Sequence, residues 1–287
     1  MNKLNVTRRA AILRALCDGC SVSATARMTG ASKVTILRLL EAVGPVALDY
    51  QRKTLTNLPT VRVQADEQWS YIFSKDKNTP LELRGTGVRG DCWTWIGLDA
   101  DSKLVITWHV GRRDSVSAGA FMLDLAARLA NRVQLTTDAF HPYLDAVEAA
   151  FGADVDYARL IKVFGLTNVR EASRRYSPAH LVRSSVEVVT GDPAPEHVST
   201  SFIERNNLTM RMNNRRFTRL TNGFSKKLAN HKHSIALQFF YYNFCRKHMT
   251  LTADRGGLHT TPAMAAGQTD RVWTLENLVE MVDASEK

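Results

Sequence analysis

The segment Val61-Arg62-Val63-Gln64-Ala65-Asp66-Glu67-Gln68-Trp69-Ser70-Tyr71-Ile72 decides how this chain is interpreted. It is rich in β-forming residues and predicts a strand that ends near Phe73. Asp66 and Glu67 are adjacent, and neighbouring side chains of a strand point to opposite faces. We therefore take Asp66 as the candidate functional acid of this strand, with Glu67 as a competing acid.

Two further acids occupy local settings of a similar kind. Asp138 ends the predicted strand Val133-Gln134-Leu135-Thr136-Thr137, and Glu204 lies in Phe202-Ile203-Glu204-Arg205-Asn206-Asn207-Leu208, which continues with helical spacing. Carboxylates on two strands and a helix can converge on the hard cations Mg²⁺ or Mn²⁺. A pair of such ions can clamp the attacking and leaving oxygens of a phosphoryl transfer. Asp66, Asp138 and Glu204 are therefore the predicted metal ligands and catalytic residues, although any three surface acids can be selected by chance.

The order of elements around these acids indicates the fold class. After the first strand, the periodicity predicts two strands at 92–98 and 104–110, a helix at 117–130, the strand ending at Asp138 and a helix at about 141–151. The three successive strands predict an antiparallel meander, and Asp99 and Asp101 fit its second turn. This order predicts an α/β (α+β) fold with a ribonuclease H-like mixed sheet flanked by helices.

The first 44 residues predict a small all-α domain. Three short helices are expected at about 7–18, 21–28 and 32–43, with Gly44-Pro45 ending the last. Ala26, Gly30, Ile36 and Leu39 occupy positions that a helix-turn-helix requires, whereas a generic helical bundle does not need them. This favours a helix-turn-helix that binds DNA over a simple bundle. Its groove-facing or phosphate-facing residues would be Ser32, Lys33, Thr35 and Arg38.

The remaining chain divides by composition. Residues 45–60 predict a linker, and 61–250 the catalytic domain, with an insertion at about 152–200. Residues 251–287 form a tail with a short amphipathic helix from Trp273 to Val282. Its apolar face must cover either its own core or a partner subunit, and we prefer the partner.

Charge points to a polyanionic partner. The 287 residues include 38 basic and 28 acidic ones, for a formal net charge of +10. Residues 1–60 carry nine basic and three acidic residues, a net of +6, and Arg205 to Ala253 contain ten lysines or arginines and no acid. Neutralisation of DNA phosphates explains both blocks. The added DNA-binding candidates are Arg205, Arg211, Arg215, Arg216, Arg219, Lys226 and Lys227.

Compartment and cofactor signals are few. Cys17 and Cys20 have zinc-like spacing, but no second ligand pair follows, so no zinc site is predicted. Neither a signal peptide nor an apolar stretch of transmembrane length is recognisable, so no membrane association is expected. We expect a cytoplasmic protein.

Several segments together resemble the transposases of the bacterial insertion sequence 1 family. The resemblance covers about residues 61–250. Its segments are Asp66-Glu67-Gln68-Trp69-Ser70-Tyr71, Trp93-Thr94-Trp95, Thr136-Thr137-Asp138, Ile203-Glu204-Arg205-Asn206-Asn207-Leu208, Thr218-Arg219-Leu220-Thr221 and Phe224-Ser225-Lys226 with His231. The segment from Tyr242 to His248, followed by Thr261-Pro262-Ala263, looks like the C-terminal region of many transposases that use two aspartates and a glutamate (DDE transposases).

The resemblance implies an activity and its partners. Asp66, Asp138 and Glu204 would form the DDE triad, using two Mg²⁺ ions with Mn²⁺ as a substitute, and His231 would join the DNA-binding residues. The enzyme would bind the terminal inverted repeats of a mobile element, cleave its ends and join the 3′-hydroxyls to target DNA. A homodimer or higher assembly is expected on double-stranded DNA, in a bacterial protein that is associated with the nucleoid. Two features depart from the family, because no zinc ribbon precedes the helix-turn-helix and the predicted insertion is long.

Two other functions remain open at this stage. The chain is a domesticated, non-catalytic DNA-binding regulator if only the helix-turn-helix and the basic surface are used. It is a nuclease or resolvase of the same fold if it cuts DNA without joining it.

Overall fold

Six strands form one mixed sheet in the computed structural model, which describes residues 3–165 and 181–286. The strands are β1 (Arg62–Ile72), β2 (Gly90–Asp99), β3 (Val105–Gly111), β4 (Val133–Asp138), β5 (Val155–Phe164) and β6 (Leu181–Thr190). They are arranged in the order β3-β2-β1-β4-β5-β6. β1, β2 and β3 pair antiparallel, β4 lies parallel to both β1 and β5, and β6 closes the sheet antiparallel to β5. The predicted meander is confirmed.

The helices of the described residues cover both faces of this sheet. They are α1 (Val6–Cys17), α2 (Val22–Thr29), α3 (Lys33–Thr54), α4 (Ser115–Ala126), α5 (Pro142–Phe151), α6 (Ser201–Asn213), α7 (Leu228–Phe240), α8 (Met249–Asp254), α9 (Pro262–Ala265) and α10 (Leu275–Ser285). The core consists of two clusters on opposite faces of the sheet, and successive residues of β2 point into different clusters. Trp95 packs on the side of α4 and α5, and Ile96 packs on the side of α6 and α7. The mixed α/β architecture is compatible with a ribonuclease H-like fold.

The N-terminal helices have the caps that their sequence predicts. The side chain of Ser21 accepts a hydrogen bond from the amide of Ala24, and that of Ser32 accepts one from Thr35. Gly30 ends α2 with a φ of 68°, a left-handed conformation that glycine adopts without a steric cost. These helices alone do not establish a DNA-binding domain.

The predicted end of α3 at Gly44-Pro45 is wrong. The helix continues through Pro45 to Thr54, so residues 45–54 of the predicted linker are helical. Proline removes one backbone donor, but packing of α3 on α7 compensates for that loss. In this contact the amide of Gln51 donates to the carbonyl oxygen of Ala236 at 3.1 Å.

The C-terminal helix covers its own chain, contrary to our preference for a partner subunit. The apolar face of α10, formed by Leu275, Leu278, Val279 and Val282, is buried in the core that also contains α1 and α3. Arg9 of α1 donates two hydrogen bonds to the carboxylate of Asp283, at 2.7 and 2.6 Å. The face that the sequence left unassigned is therefore filled within one molecule.

The predicted insertion at 152–200 requires a correction at its start. Val155–Phe164 forms β5, which belongs to the central sheet and pairs in parallel with β4. Val155 and Tyr157 are buried on one face, as the alternation of a strand requires. The part of the insertion at 166–180, with Arg170, Arg174 and Arg175, lies outside the described residues. In the described ranges, no helix has the length and apolar character needed to cross a membrane.

Candidate metal centre and basic cleft

The parallel pairing of β1 and β4 brings two predicted acids together. Gln64 pairs with Thr136 in this register, so two residues further along each strand Asp66 comes beside Asp138. Both side chains are half-buried. A carboxylate at the end of a parallel strand is a common way to build a binding site, because the strand fixes its backbone while its side chain stays accessible.

Glu67 joins these two acids. One carboxylate oxygen from each of Asp66, Glu67 and Asp138 lies within 4.8 Å of the others. Glu67 is buried, and its two oxygens accept hydrogen bonds from Arg113 Nε at 2.6 Å and from the Tyr143 hydroxyl at 2.8 Å. Sequence reasoning treated Glu67 only as a competing acid on the opposite face of the strand. Its adjacency to Asp66 was the only available signal, because its closeness to Asp138 depends on where β4 ends.

The electrostatics of this carboxylate cluster (Asp66, Glu67 and Asp138) favour a bound cation. Burial, together with the charges of Glu67 and Asp138, raises the pKa of Asp66 to about 8. Burial and Asp138 also raise the pKa of Glu67, while Arg113 and Tyr143 lower it in part. The cluster therefore carries a desolvation and repulsion cost that a positive charge would offset. Oxygen donors of this kind suit hard divalent cations.

Glu204 lies outside the carboxylate cluster in this structure. Its carboxylate is exposed on α6, where it is bound by the ammonium of Lys162 from β5 and by the hydroxyl of Thr200. Lys162 also donates to the Thr200 hydroxyl at 2.8 Å. Glu204 nevertheless contributes a small part of the raised pKa of Asp66, so its charge acts on the cluster.

Helix α6 is fixed against β1 by direct hydrogen bonds. Asn207, one turn after Glu204, donates to Asp66 Oδ2 at 2.7 Å. The Gln64 side chain accepts from the backbone amides at the start of α6, and Gln68 donates to the Asn207 carbonyl oxygen at 3.0 Å. Within the described residues, the buried side-chain oxygens of Asn207 and Gln68 have no hydrogen-bond partner. Sequence reasoning missed Asn207, although its spacing from Glu204 on one helical face was readable.

A cleft of about 640 Å³ separates α2 and α3 from the segment 214–234. The basic residues that line it are Lys33, Arg38, Arg215, Arg216, Lys226 and Lys227, and the lining includes one acid, Glu41. Burial lowers the pKa of Arg216 to about 10, and its guanidinium donates to the Ser225 hydroxyl at 3.1 Å. Two basic blocks that are distant in sequence thus line one basic cleft.

The other predicted DNA-binding residues have different surroundings. The Ser32 and Thr35 hydroxyls lie 2.9 Å apart at the start of α3, where the Ser32 hydroxyl caps the helix by accepting from the Thr35 amide. Arg205 and Arg219 are exposed and Arg211 is half-buried, and none of these three lines the basic cleft.

The prediction that His231 contacts DNA is wrong. Its ring is fully buried, with Nε2 3.1 Å from the Ser70 hydroxyl and Nδ1 2.8 Å from the Ser225 hydroxyl. Burial lowers the pKa of His231 to about 3, so the ring is neutral. His231 connects β1 to the loop before α7, and its burial was not predictable because the residue follows the polar, lysine-containing segment 225–230.

Comparisons with known proteins add no assignment. No protein-family model matches the chain, and no curated protein sequence matches it.

Proposed function

We propose that this chain is a DDE-type DNA transposase, which cleaves the ends of a mobile element and joins the 3′-hydroxyls to target DNA. The carboxylate cluster is the observation that carries the proposal. It sits on adjacent parallel strands, has a raised pKa at Asp66 and is contacted by the helix that bears Glu204. The resemblance to insertion sequence 1 transposases supports the specific reaction.

Some side chains at this site would bind the cation, and others position those ligands. Asp66 and Asp138 would hold Mg²⁺ or Mn²⁺, with Glu204 as the third ligand. The ions would supply positive charge to the transferring phosphoryl group. Asn207 orients Asp66 through its hydrogen bond, and Arg113 and Tyr143 hold Glu67 in place. Glu204 becomes available to a cation when its carboxylate leaves Lys162.

The basic cleft supports double-stranded DNA as the substrate. Lys33 and Arg38 come from the predicted helix-turn-helix, while Arg215, Arg216 and Lys226 come from the segment before α7. Cations on two walls of one cleft suit a polyanion that lies between them. We infer that these residues hold the terminal inverted repeats, and that a homodimer or larger assembly pairs two ends.

A non-catalytic DNA-binding regulator is the second candidate. The observation that favours it is the ion pair between Glu204 and Lys162, which keeps one of the three predicted ligands out of the carboxylate cluster.

The test is incubation of the protein with Mg²⁺ or Mn²⁺, a labelled DNA fragment carrying the sequence that flanks its gene, and a target plasmid. We expect joined product from the wild-type protein, and none from Asp138→Asn. Asp145→Asn changes an exposed acid of α5 and serves as the matched control. A cut but unjoined product would indicate a nuclease, and binding without either product would indicate the regulator.

A further inference from the structure

An aromatic row continues along β1 beyond the carboxylate cluster. The rings of Trp69 and Tyr71 have centroids 5.6 Å apart, and Phe224 from the loop before α7 stacks on Tyr71 at 5.2 Å. Trp93 of β2 pairs directly with Trp69 across the two strands. We call these four residues the aromatic surface. All four are half-buried, so each exposes part of its side chain.

The helices on this side of the sheet do not cover the aromatic surface. Trp95, which pairs with Glu67, is fully buried against Phe121 and Tyr143 of α4 and α5. The next pair on the same face, Trp69 with Trp93, is only half-buried. Aromatic side chains beyond the reach of the covering helices are an open surface of the sheet, and they are not part of its closed core.

Cations lie on this surface. The Lys75 ammonium lies 5.2 Å from the Trp69 centroid and 5.8 Å from that of Tyr71. Lys75 forms no salt bridge with an acid of the described residues. Arg113 lies 5.1 Å from the Trp93 centroid and also donates to Glu67, which connects the surface to the carboxylate cluster. Ring faces with nearby cations suit bases and phosphates together.

The spacing places this surface next to Glu67, the member of the carboxylate cluster on the same face of β1. Side chains on one face of a strand repeat every two residues, or about 7 Å. Trp69 is thus about 7 Å along the strand from Glu67, and Tyr71 is about 14 Å away. A nucleic-acid strand with a phosphate at the carboxylate cluster has its neighbouring bases over these rings only if those bases are unpaired.

We propose that the aromatic surface binds unpaired nucleotides of single-stranded DNA next to the phosphate that is cleaved. The bases stack on Trp69 and Tyr71, and the Lys75 ammonium moves from the rings to a backbone phosphate. The identification of the strand as DNA rests on the proposed function, but the stacking itself does not require catalysis. The basic cleft, in contrast, holds duplex DNA.

The test measures binding of the full chain to a fluorescent oligodeoxythymidylate by anisotropy, in EDTA so that no cleavage contributes. We expect Trp69→Leu to weaken this binding roughly tenfold, because stacking on one ring is lost. Trp69→Phe keeps a ring and should restore most of the affinity. Trp273→Leu removes another half-buried tryptophan, which packs with Tyr50 and has Arg271 over its ring, and should have no effect.

Further measurements distinguish single-strand binding by the aromatic surface from a role as a protein interface. Lys75→Ala changes an exposed residue that does not threaten folding, and should weaken single-strand binding roughly threefold. A folded Trp69→Leu protein with wild-type single-strand affinity would overturn the proposal. The proposal would also be overturned if Trp69→Leu lowered the molecular mass measured by light scattering but left single-strand affinity unchanged. That result would identify the aromatic surface as an interface between protein subunits. Single-strand binding without cleavage of any DNA would support this proposal and refute the proposed enzymatic function.

Discussion

Folding places the Asp66 carboxyl in a buried position beside two other acids, which makes its ionisation unfavourable. Its pKa rises from 3.8 to about 8 on burial beside Glu67 and Asp138. Between about pH 4 and pH 8 the folded state therefore holds a proton that the unfolded state releases. The contribution of Asp66 to the free energy of unfolding is fully present below its unfolded pKa, and it is lost as the pH rises through this window. Strongly shifted carboxyl pKa values of this kind are typical of functional sites.

Removing that charge should stabilise the metal-free protein. We expect Asp66→Asn to raise the free energy of unfolding at pH 7.5 by on the order of 2 kcal/mol, because Asp66 must take up a proton on folding at this pH and asparagine does not. Urea denaturation in EDTA measures the change. Asp145→Asn is exposed and should leave stability within about 0.5 kcal/mol of the wild type. A loss of stability in Asp66→Asn would contradict the raised pKa of Asp66 in the folded protein.

The buried His231 should make stability fall in acid. Its folded pKa of about 3 lies below the ordinary value of 6.5, so the unfolded state gains a proton as pH drops through that interval. We expect a loss of about 2 kcal/mol from this residue between pH 7 and pH 5. Comparison of urea denaturation at both pH values for wild type and His231→Gln isolates this contribution. The exposed His259→Gln is the control, and an equal pH dependence in both variants would contradict the buried, neutral state.

At the scale of elements, α10 and α1 close one end of the core. The carboxylate of Asp283 accepts two hydrogen bonds from Arg9, and this contact, together with Lys3, holds its pKa well below the usual range. Leu278 beneath it has no exposed surface. The helix therefore stabilises the single chain before any assembly is considered.

Truncation of the buried Leu278 side chain of α10 should destabilise the monomer. We expect Leu278→Ala to lower the free energy of unfolding by about 2–5 kcal/mol, because it removes buried methyl groups and leaves a cavity. Urea denaturation measures this loss. Leu258→Ala, at a leucine that is 62% exposed, is the matched control. A Leu278→Ala protein of wild-type stability would mean that α10 detaches easily and is free for a partner.

The elements differ in how readily sequence predicts them. The meander was predictable because β1, β2 and β3 follow each other and their alternation is local. The continuation of α3 through Pro45 and the membership of β5 in the sheet were not, because both depend on contacts with residues far along the chain. Dependence on distant residues also limits how much of the site the sequence predicts. The closeness of Asp66 and Asp138 was predicted from their positions on two strands, whereas the contribution of Glu67 was not.

On the scale of the whole molecule, the fold assembles one basic cleft from two distant segments. We expect Arg38→Ala and Lys227→Ala each to weaken duplex DNA binding and to reduce the salt dependence of log K by about 1, since each removes one phosphate contact. Fluorescence anisotropy over a salt series measures both. Lys53→Ala changes an exposed lysine of α3 that pairs with Asp49, and should leave binding unchanged. Identical slopes in all three variants would place the DNA elsewhere.

We propose that Asp66 and Asp138 hold the divalent cation of a DNA-processing enzyme. Calorimetric titration of the protein with Mn²⁺ tests it most directly. We predict saturable binding to wild type and to Asp145→Asn, and its loss in Asp138→Asn. Mn²⁺ binding that is absent from the wild type, or unchanged in Asp138→Asn, would contradict the account.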